Sequence, residues 1–449
     1  MKILQIAYHF PPMGGAGVQR ALKFARYLPE FGVEPVVLAA HDPGYLQDPG
    51  LADELPAGLE VHRIEHRRLV TRALAWRRRL QAAAGPAVRA AAPPRPARLR
   101  EALLAAHAAL AFPDDKAGWS RRACAVGDAR LARGDIALVY SSAPPVSAHA
   151  VAARLAARHR LPWVADWRDL WTDNPEYRAP GWRRRLDRAT ETAWFAQAAG
   201  VVTVTPSWQR LLAARIASGA VSSAPPVEFI PNGYDEADFG GRPETPIRAA
   251  GARRVFRLVH VGTLYGQRSP QALLEAAERL LARAEASAPA LRLRFVGAVG
   301  ERFGALLDAF AARHPGVVER VAYCPHAQAI DEMLAADALL LMVGGGAGAS
   351  AGSAVAGTLP GKVFEYLRAR RPILLVGPER GDAATLVGRH ASALVVDEGA
   401  PERIAAALAA LLAGRLPAPA DPQGAAAFER RALAARPAAV RRRCGAATY

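Results

Sequence analysis

The chain has 449 residues, enough for two domains of ordinary size, each with its own core. A hydrophobic fraction of 51% with 22% charged residues excludes bulk disorder, and three scattered cysteines, Cys124, Cys324 and Cys444, exclude a disulfide framework or CxxC zinc site and suit a reducing cytoplasm. The balance of 58 basic against 41 acidic residues gives +17 and calls for an anionic neighbour; charge alone does not choose among nucleic acid, an anionic membrane face and phosphorylated small molecules.

The chain opens on the apolar run 3–8, too short for the core of a signal peptide and without a cleavage site, so a strand is expected there. A Pro/Gly loop and a helical pattern over 18–28 follow. Further strands are expected at 35–39, 60–64, 136–140, 163–165, 200–204 and 228–230, with helical stretches between several of them. A second series begins at 257–262, followed by a glycine-containing loop and a helix over 270–281. It continues with strands at 291–296, 318–323, 338–343, 373–376 and 393–396. Near-continuous apolar strands alternating with helices predict an α/β fold with a doubly wound parallel sheet in each half. The halves are assigned to residues 1–237 and 255–420, with the Gly/Pro/Arg-rich 238–254 as linker and a final helical stretch within 421–449.

Two segments depart from this rhythm. Residues 66–100 carry ten arginines and no acidic residue, with Leu69, Val70, Ala73, Leu74, Trp76 and Leu80 at helical spacing. Both a helix pair docked on its own domain and a basic amphipathic segment on an anionic membrane fit that pattern. Residues 338–360 run for 23 positions without charge but include six glycines, so they read as a buried strand entering a Gly/Ser loop rather than a membrane span.

Four loops carry candidate chemistry. In the first, 9–17, Gly14 and Gly15 allow close backbone approach before a helix N-terminus that favours an anion. It is a poor dinucleotide fingerprint, because Arg20 stands where a third small residue belongs. The second, 357–362, resembles a P-loop, yet its spacing is one residue short and Val363 replaces the Ser or Thr that would hold magnesium. What remains is Gly361 and Lys362 at a helix start, suited to a diphosphate, with Glu365 one turn on as an acceptor for ribose hydroxyls. The third, 261–268, places Gly262 and Arg268 beyond a strand's carboxyl end, where open α/β sheets bind ligands. The fourth joins the loop 141–145, with Ser142, to Asp166 and Asp169, which flank Arg168 after the 163–165 strand. The carboxylate spacing is not DxD, so no metal site is expected. His149 is expected to pack within its helix.

Taken together, YHFPPMGGAG (8–17), ADWRDLW (165–171), FIPNGYD (229–235), LVHVGTLY (258–265) and LPGKVFEYLRARRPIL (359–374) resemble the family-4 type glycosyltransferases with a GT-B fold, across nearly the whole chain. The resemblance implies two Rossmann-like domains facing a cleft, an acceptor on the first and a nucleotide-sugar donor on the second. It implies a hexosyltransferase-type reaction with retention, no metal or other cofactor, and a last helix crossing back to the first domain. Arg268 matches the basic residue on the donor diphosphate, Glu365 the second glutamate of E-x7-E on the ribose, and Gly14 and Gly15 the glycine loop near the donor phosphate and sugar. The first glutamate of that pattern falls at Gly357, and the usual arginine of the first loop of the second domain falls at Thr263; Lys362 supplies positive charge instead. Asp169 or Asp166, with Ser142, is expected to carry the catalytic role. The expected partners are a nucleotide sugar, a glycan or lipid-linked acceptor and an anionic membrane surface, not nucleic acid, at a cytoplasmic or peripheral inner-membrane location in cell-surface polysaccharide synthesis. A GT-B nucleotide-sugar epimerase or sugar-phosphate synthase, and a non-catalytic basic binding protein, are the alternatives.

Overall fold

The computed structural model describes residues 1–66, 111–219, 224–242, 255–283, 289–345 and 354–436. Two all-parallel sheets organise them. The first holds β1 (Lys2–Ala7), β2 (Glu34–His41), β3 (Val61–Glu65), β4 (Ile136–Ala143), β5 (Trp163–Trp167), β6 (Gly200–Thr203) and β7 (Val227–Phe229), in the order β3-β2-β1-β4-β5-β6-β7. Its helices are α1 (Ala16–Tyr27), α2 (Ala117–Leu131), α3 (Ser147–His159), α4 (Gly181–Gln197), α5 (Pro206–Ser218) and the single turn α6 (Glu236–Phe239).

The second sheet holds β8 (Val255–Val261), β9 (Ala290–Val296), β10 (Val318–Val321), β11 (Ala338–Met342), β12 (Ile373–Val376) and β13 (Ala393–Val396), in the order β10-β9-β8-β11-β12-β13. Between them run α7 (Gln271–Leu281), α8 (Glu301–Arg313), α9 (His326–Ala335), α10 (Lys362–Ala369), α11 (Asp382–His390) and α12 (Pro401–Leu412). The central strands are apolar throughout because helices cover both faces: all of ALLLM in β11 and ILLV in β12 is buried. Strand order reverses between β1 and β4 and between β8 and β11, opening a crevice at the carboxyl ends of each sheet.

Every strand expected from the sequence is present, its ends moved by at most a few residues. The instructive shift is in β4. Residues 141–143 read as loop, yet they extend the strand in register with Ala165–Trp167 of β5. Polar side chains are tolerated there because each finds a partner: Ser141 bonds His149 and Trp163, and Ser142 bonds Asp166. A second shift concerns the stretch read as linker. It begins inside α6, which Asp235 caps by accepting from Ala237 N, and residues 243–254 lie outside the described residues.

The basic stretch 66–100 also lies outside them, apart from His66. Among the described residues no helix is long and apolar enough to cross a membrane. After α12 the chain makes a 3-10 turn (Gln423–Phe428) and a helix over 430–436 that returns to the first sheet's side. Arg430 Nε donates to Gly233 O at 2.8 Å, Arg431 pairs with Glu30 at 2.6 Å, and Ala434 joins the core beneath Ile3, Phe24 and Leu138.

Candidate active site

The loops at the carboxyl ends of the two sheets face one another. Three of the side chains that reach across lie against a glycine of the opposite side. Tyr323, after β10, donates to Asp48 Oδ2 at 3.3 Å, and its hydroxyl lies 3.0 Å from where a Cβ on Gly14 would stand. Glu176, after β5, has Oε1 2.5 Å from the corresponding point on Gly266, which is left-handed at φ +64°. Trp208, in the first turn of α5, donates from Nε1 to Ala354 O at 2.8 Å, and its indole fills the space a side chain on Gly357 would need. Beside it, Ser207 donates from its amide and hydroxyl to Asp382 at 3.0 and 2.9 Å.

On the first wall, Gly14 N donates to Leu46 O at 2.9 Å and Gly15, at φ +89°, opens α1. That helix has no acidic residue in its first turn, so its positive end is uncompensated. Arg168 ties the neighbouring loops together, donating to Gly17 O and Pro144 O, each at 2.5 Å. His9 stacks near Tyr45, with ring centroids 4.7 Å apart. Burial, helped by the charges of Arg168 and Lys116, pushes its imidazole down to about 3, so it is neutral.

The three catalytic candidates separate in space. Asp166 is fully enclosed: Oδ2 accepts from Arg20 Nε at 2.8 Å and from the Ser142 hydroxyl at 2.8 Å, and Oδ1 accepts from Arg20 at 2.9 Å. Burial opposes the charge, but Arg20 outweighs it and holds the carboxyl below the usual range. Ser142 is equally buried and donates to that carboxylate. Asp169 alone of the three opens to the cleft. Although its surface is exposed, the protein crowded around it desolvates its carboxyl and pushes the pKa up, against the opposing charges of Arg168 and Arg268. His149 lies inside, as expected. Ser141 Oγ accepts from Trp163 Nε1 at 2.8 Å and lies 2.7 Å from Nδ1 of His149, whose imidazole burial pushes down to about 3.

On the second wall, Gly262 is left-handed at φ +119°, and a Cβ there would lie 3.2 Å from Lys362 Nζ. Lys362 is the first residue of α10, beside Gly361, and reaches His260 Nε2 at 3.0 Å. The other ring nitrogen of His260 faces Leu340 O at 3.1 Å, which assigns the ring proton to Nδ1 and leaves Nε2 to accept from the lysine. Burial, then the nearby Arg268, drives the Lys362 ammonium well below its ordinary pKa. Arg268 lies over the Tyr265 ring, 5.2 Å from its centroid. Two basic side chains thus meet at a helix N-terminus, and the lysine is bonded to a neutral imidazole, so an anion is what this corner lacks. Glu365, one turn into α10, has Oε1 2.8 Å from His326 Nε2. Burial opposes its charge, but the imidazole outweighs it and holds the carboxyl below its usual range.

Among the described residues, carboxylates of Glu54, Asp235 and Asp238 gather within 4.8 Å of one another. The ammonium of Lys23 sits among them, 2.5 Å from Glu54, 2.7 Å from Asp235 and bonded to Asp238. The centre of the cluster is therefore held by the lysine's own ammonium, with Arg26 Nη1 3.5 Å from Glu54 beside it.

Sequence reasoning did not single out His260, His326, Glu176, Trp208 or Tyr323. Each follows a strand's carboxyl end or opens a helix, except His260, which lies within β8. Arg20 counted only as a blemish in a glycine fingerprint; it is the counter-ion of Asp166.

The glycosyl transferase 4-like domain family matches residues 14–233. No curated protein sequence matches the chain. Among solved structures, the chain is similar to Anabaena HepE in complex with UDP-glucose, at 14% identity and a TM-score of 0.58 over 98% of this chain and 99% of that one. It is similar to the lipopolysaccharide outer core galactosyltransferase WaaB, at 11% identity and a TM-score of 0.58, with 98% and 99% covered. It is also similar to the UDP-forming trehalose-phosphate synthase of Burkholderia xenovorans, at 12% identity and a TM-score of 0.61, with 99% and 100% covered. Residues 14–233 are a glycosyl transferase 4-like domain, and with the second sheet they give this chain the GT-B fold of these glycosyltransferases.

Proposed function

We propose that the chain moves a sugar from a nucleotide-sugar donor, held on the second wall, to a glycan or lipid-linked acceptor on the first, with retention, in cell-surface polysaccharide synthesis. The observation that carries the donor reading is the meeting of Arg268 and Lys362 at the start of α10, one turn before Glu365. A nucleoside diphosphate supplies the anion for that corner, and its ribose hydroxyls fall to Glu365. As the glycosidic bond breaks, negative charge grows on the diphosphate, and Arg268, Lys362 and the α10 amides stabilise it. The reading needs no metal or other cofactor for that task. Asp169, open to the cleft, orients the acceptor hydroxyl or the sugar, while Asp166 and Ser142 hold the wall behind it.

The basic stretch 66–100 supports a peripheral place on an anionic membrane face, at the cytoplasmic side where a lipid-linked acceptor is met. Pelleting with anionic but not neutral liposomes tests that part.

A thermal-shift screen against UDP, GDP, ADP, CMP, dTDP and their sugar conjugates tests the donor. One base family is expected to shift the transition, and Arg268→Ala to abolish the shift. Wild-type binding by Arg268→Ala removes the assignment, and turnover of a nucleotide sugar without acceptor favours an epimerase.

A further inference from the structure

His326 opens α9, directly after the Tyr323-Cys324-Pro325 turn from β10. Its side chain is only 19% exposed and lies between two carboxylates on different elements. Nε2 is 2.8 Å from Glu365 Oε1 on α10, and Nδ1 is 3.8 Å from Asp238 Oδ2 on α6. Asp238 is bonded in turn to Lys23 of α1, whose ammonium also holds Asp235 and Glu54. The result is a chain of alternating charge, from Lys23 through Asp238 and His326 to Glu365, with the Arg430 guanidinium acting on both Glu365 and Asp238. It runs from the helix behind the glycine loop of the first wall to the helix that begins the anion corner of the second.

A glutamate that accepts from two neighbouring hydroxyls needs one oxygen free, its charge kept and its rotamer fixed before the ligand arrives. A long side chain left loose loses that ordering entropy on binding. His326 occupies Oε1 and leaves Oε2 unclaimed by it. We propose that His326 is a positioning residue for donor binding: by holding Oε1 it fixes Glu365 so that Oε2 accepts from the vicinal diol of the donor's ribose, and through Asp238 and Lys23 it couples that contact to the first domain. The inference rests on the nucleoside reading of Glu365 given above.

The test is titration calorimetry with UDP, GDP and ADP, each beside its 2′,3′-dideoxy counterpart. Wild type is expected to prefer the ribonucleotide of one pair. His326→Ala is expected to weaken that ribonucleotide about tenfold, the scale of one hydrogen bond to a charged group, and to leave the dideoxy form unchanged. His326→Gln, whose amide N–H can still donate to Glu365, should restore most of the loss and checks that the site folds. Equal weakening of both nucleotides by His326→Ala, or no weakening of either, overturns the proposal. If Glu365→Ala abolishes the preference and His326→Ala does not, the positioning role fails while the nucleoside reading stands. If wild type shows no preference, or binds none of the probes, the reading of Glu365 fails and takes this inference with it.

Discussion

Asp166→Asn separates a structural from a chemical role for the most enclosed carboxylate of the first wall. Asp166 accepts three hydrogen bonds, two from Arg20 and one from Ser142, all between 2.8 and 2.9 Å. Asparagine has the same shape but one acceptor oxygen and an NH2. Whichever way the amide turns, that NH2 meets an arginine N–H, donor against donor. The substitution leaves the Arg20 guanidinium, 3% exposed, without its counter-ion. Breaking a buried pair from one side costs about 3–5 kcal/mol. At roughly 2–4 °C per kcal/mol for a unit of this size, the melting temperature should fall by about 6–20 °C. Replacing both partners, as in Arg20→Met with Asp166→Leu, should recover much of the loss, since an apolar pair of similar volume needs no desolvation. The pH dependence follows from the sign of the shift. The folded-state pKa of Asp166 is lowered, so its contribution is present above the ordinary carboxylate value near ~3.9 and is lost as pH falls below it. The gap in melting temperature between wild type and Asp166→Asn should therefore narrow on strong acidification. Thermal unfolding by circular dichroism, with turnover measured well below the transition, checks all of this. An Asp166→Asn protein that melts within about 2 °C of wild type yet has lost turnover would refute the structural role and return Asp166 to the chemistry.

Three further outcomes follow from the second wall and the seam. Arg268→Ala should lower kcat/KM by about two orders of magnitude, the scale for removing one well-placed donor to a developing anion, measured with the responsive nucleotide sugar. Burial and Arg268 depress the pKa of Lys362, and a diphosphate bound beside it should raise it again. Nucleotide binding should therefore take up protons, and affinity should weaken as pH rises; calorimetry in buffers of different ionisation enthalpy reads the uptake, and none at any pH removes the lysine from the anion site. Trp208→Ala should destabilise by about 3–5 kcal/mol, because Trp208 is 5% exposed and spans the seam. Gly357→Leu should disturb the same contact from the other side, and thermal unfolding of both variants checks whether the indole and the glycine act together.

The sheets were legible because their strands are apolar and short and their connections helical; periodicity reports burial on both faces directly. The end of β4 was not, since Ser141 and Ser142 look like loop until their partners Trp163, His149 and Asp166 are seen, and those partners come from other elements. The grouping of Gly361, Lys362 and Glu365, proposed above as the donor corner, was legible for the same kind of reason as the sheets: they lie within one turn of one helix, and local spacing suffices to place them together. Its supporting groups were not. His260 and His326 stand 102 and 39 residues from the side chains they touch, and nothing in the residues around either of them names its partner. Asp166, Asp169 and Ser142 look like a single group in the sequence because their polar side chains hide how far β4 and β5 run. Once β4 and β5 extend through these residues, Ser142 and Asp166 fall opposite one another inside the sheet, and Asp169 is the first of the three beyond it.

The same geometry accounts for the departure at Gly357. A glutamate eight residues before Glu365 would place a side chain where the Trp208 indole lies, and that indole comes from the opposite domain with its Nε1 committed to Ala354 O. A side chain at 357 and the aromatic seam therefore exclude one another. The consequence reaches the chemistry. A carboxylate beside a donor sugar adds negative charge near a diphosphate, whereas an indole adds none. On the proposed donor reading, Arg268 and Lys362 would face the diphosphate with less opposing charge, and Lys362, bonded to a neutral histidine, would regain its proton as the anion binds. Restoring a carboxylate with Gly357→Glu should consequently fail twice: the seam opens, seen as a lower melting temperature, and nucleotide affinity drops. Adding Trp208→Gly makes room for the carboxylate but removes the indole that closes the seam, so the melting temperature stays low, and nucleotide affinity stays low with it. Recovery of nucleotide affinity by the double variant would show that only space, and not charge, keeps glycine at 357.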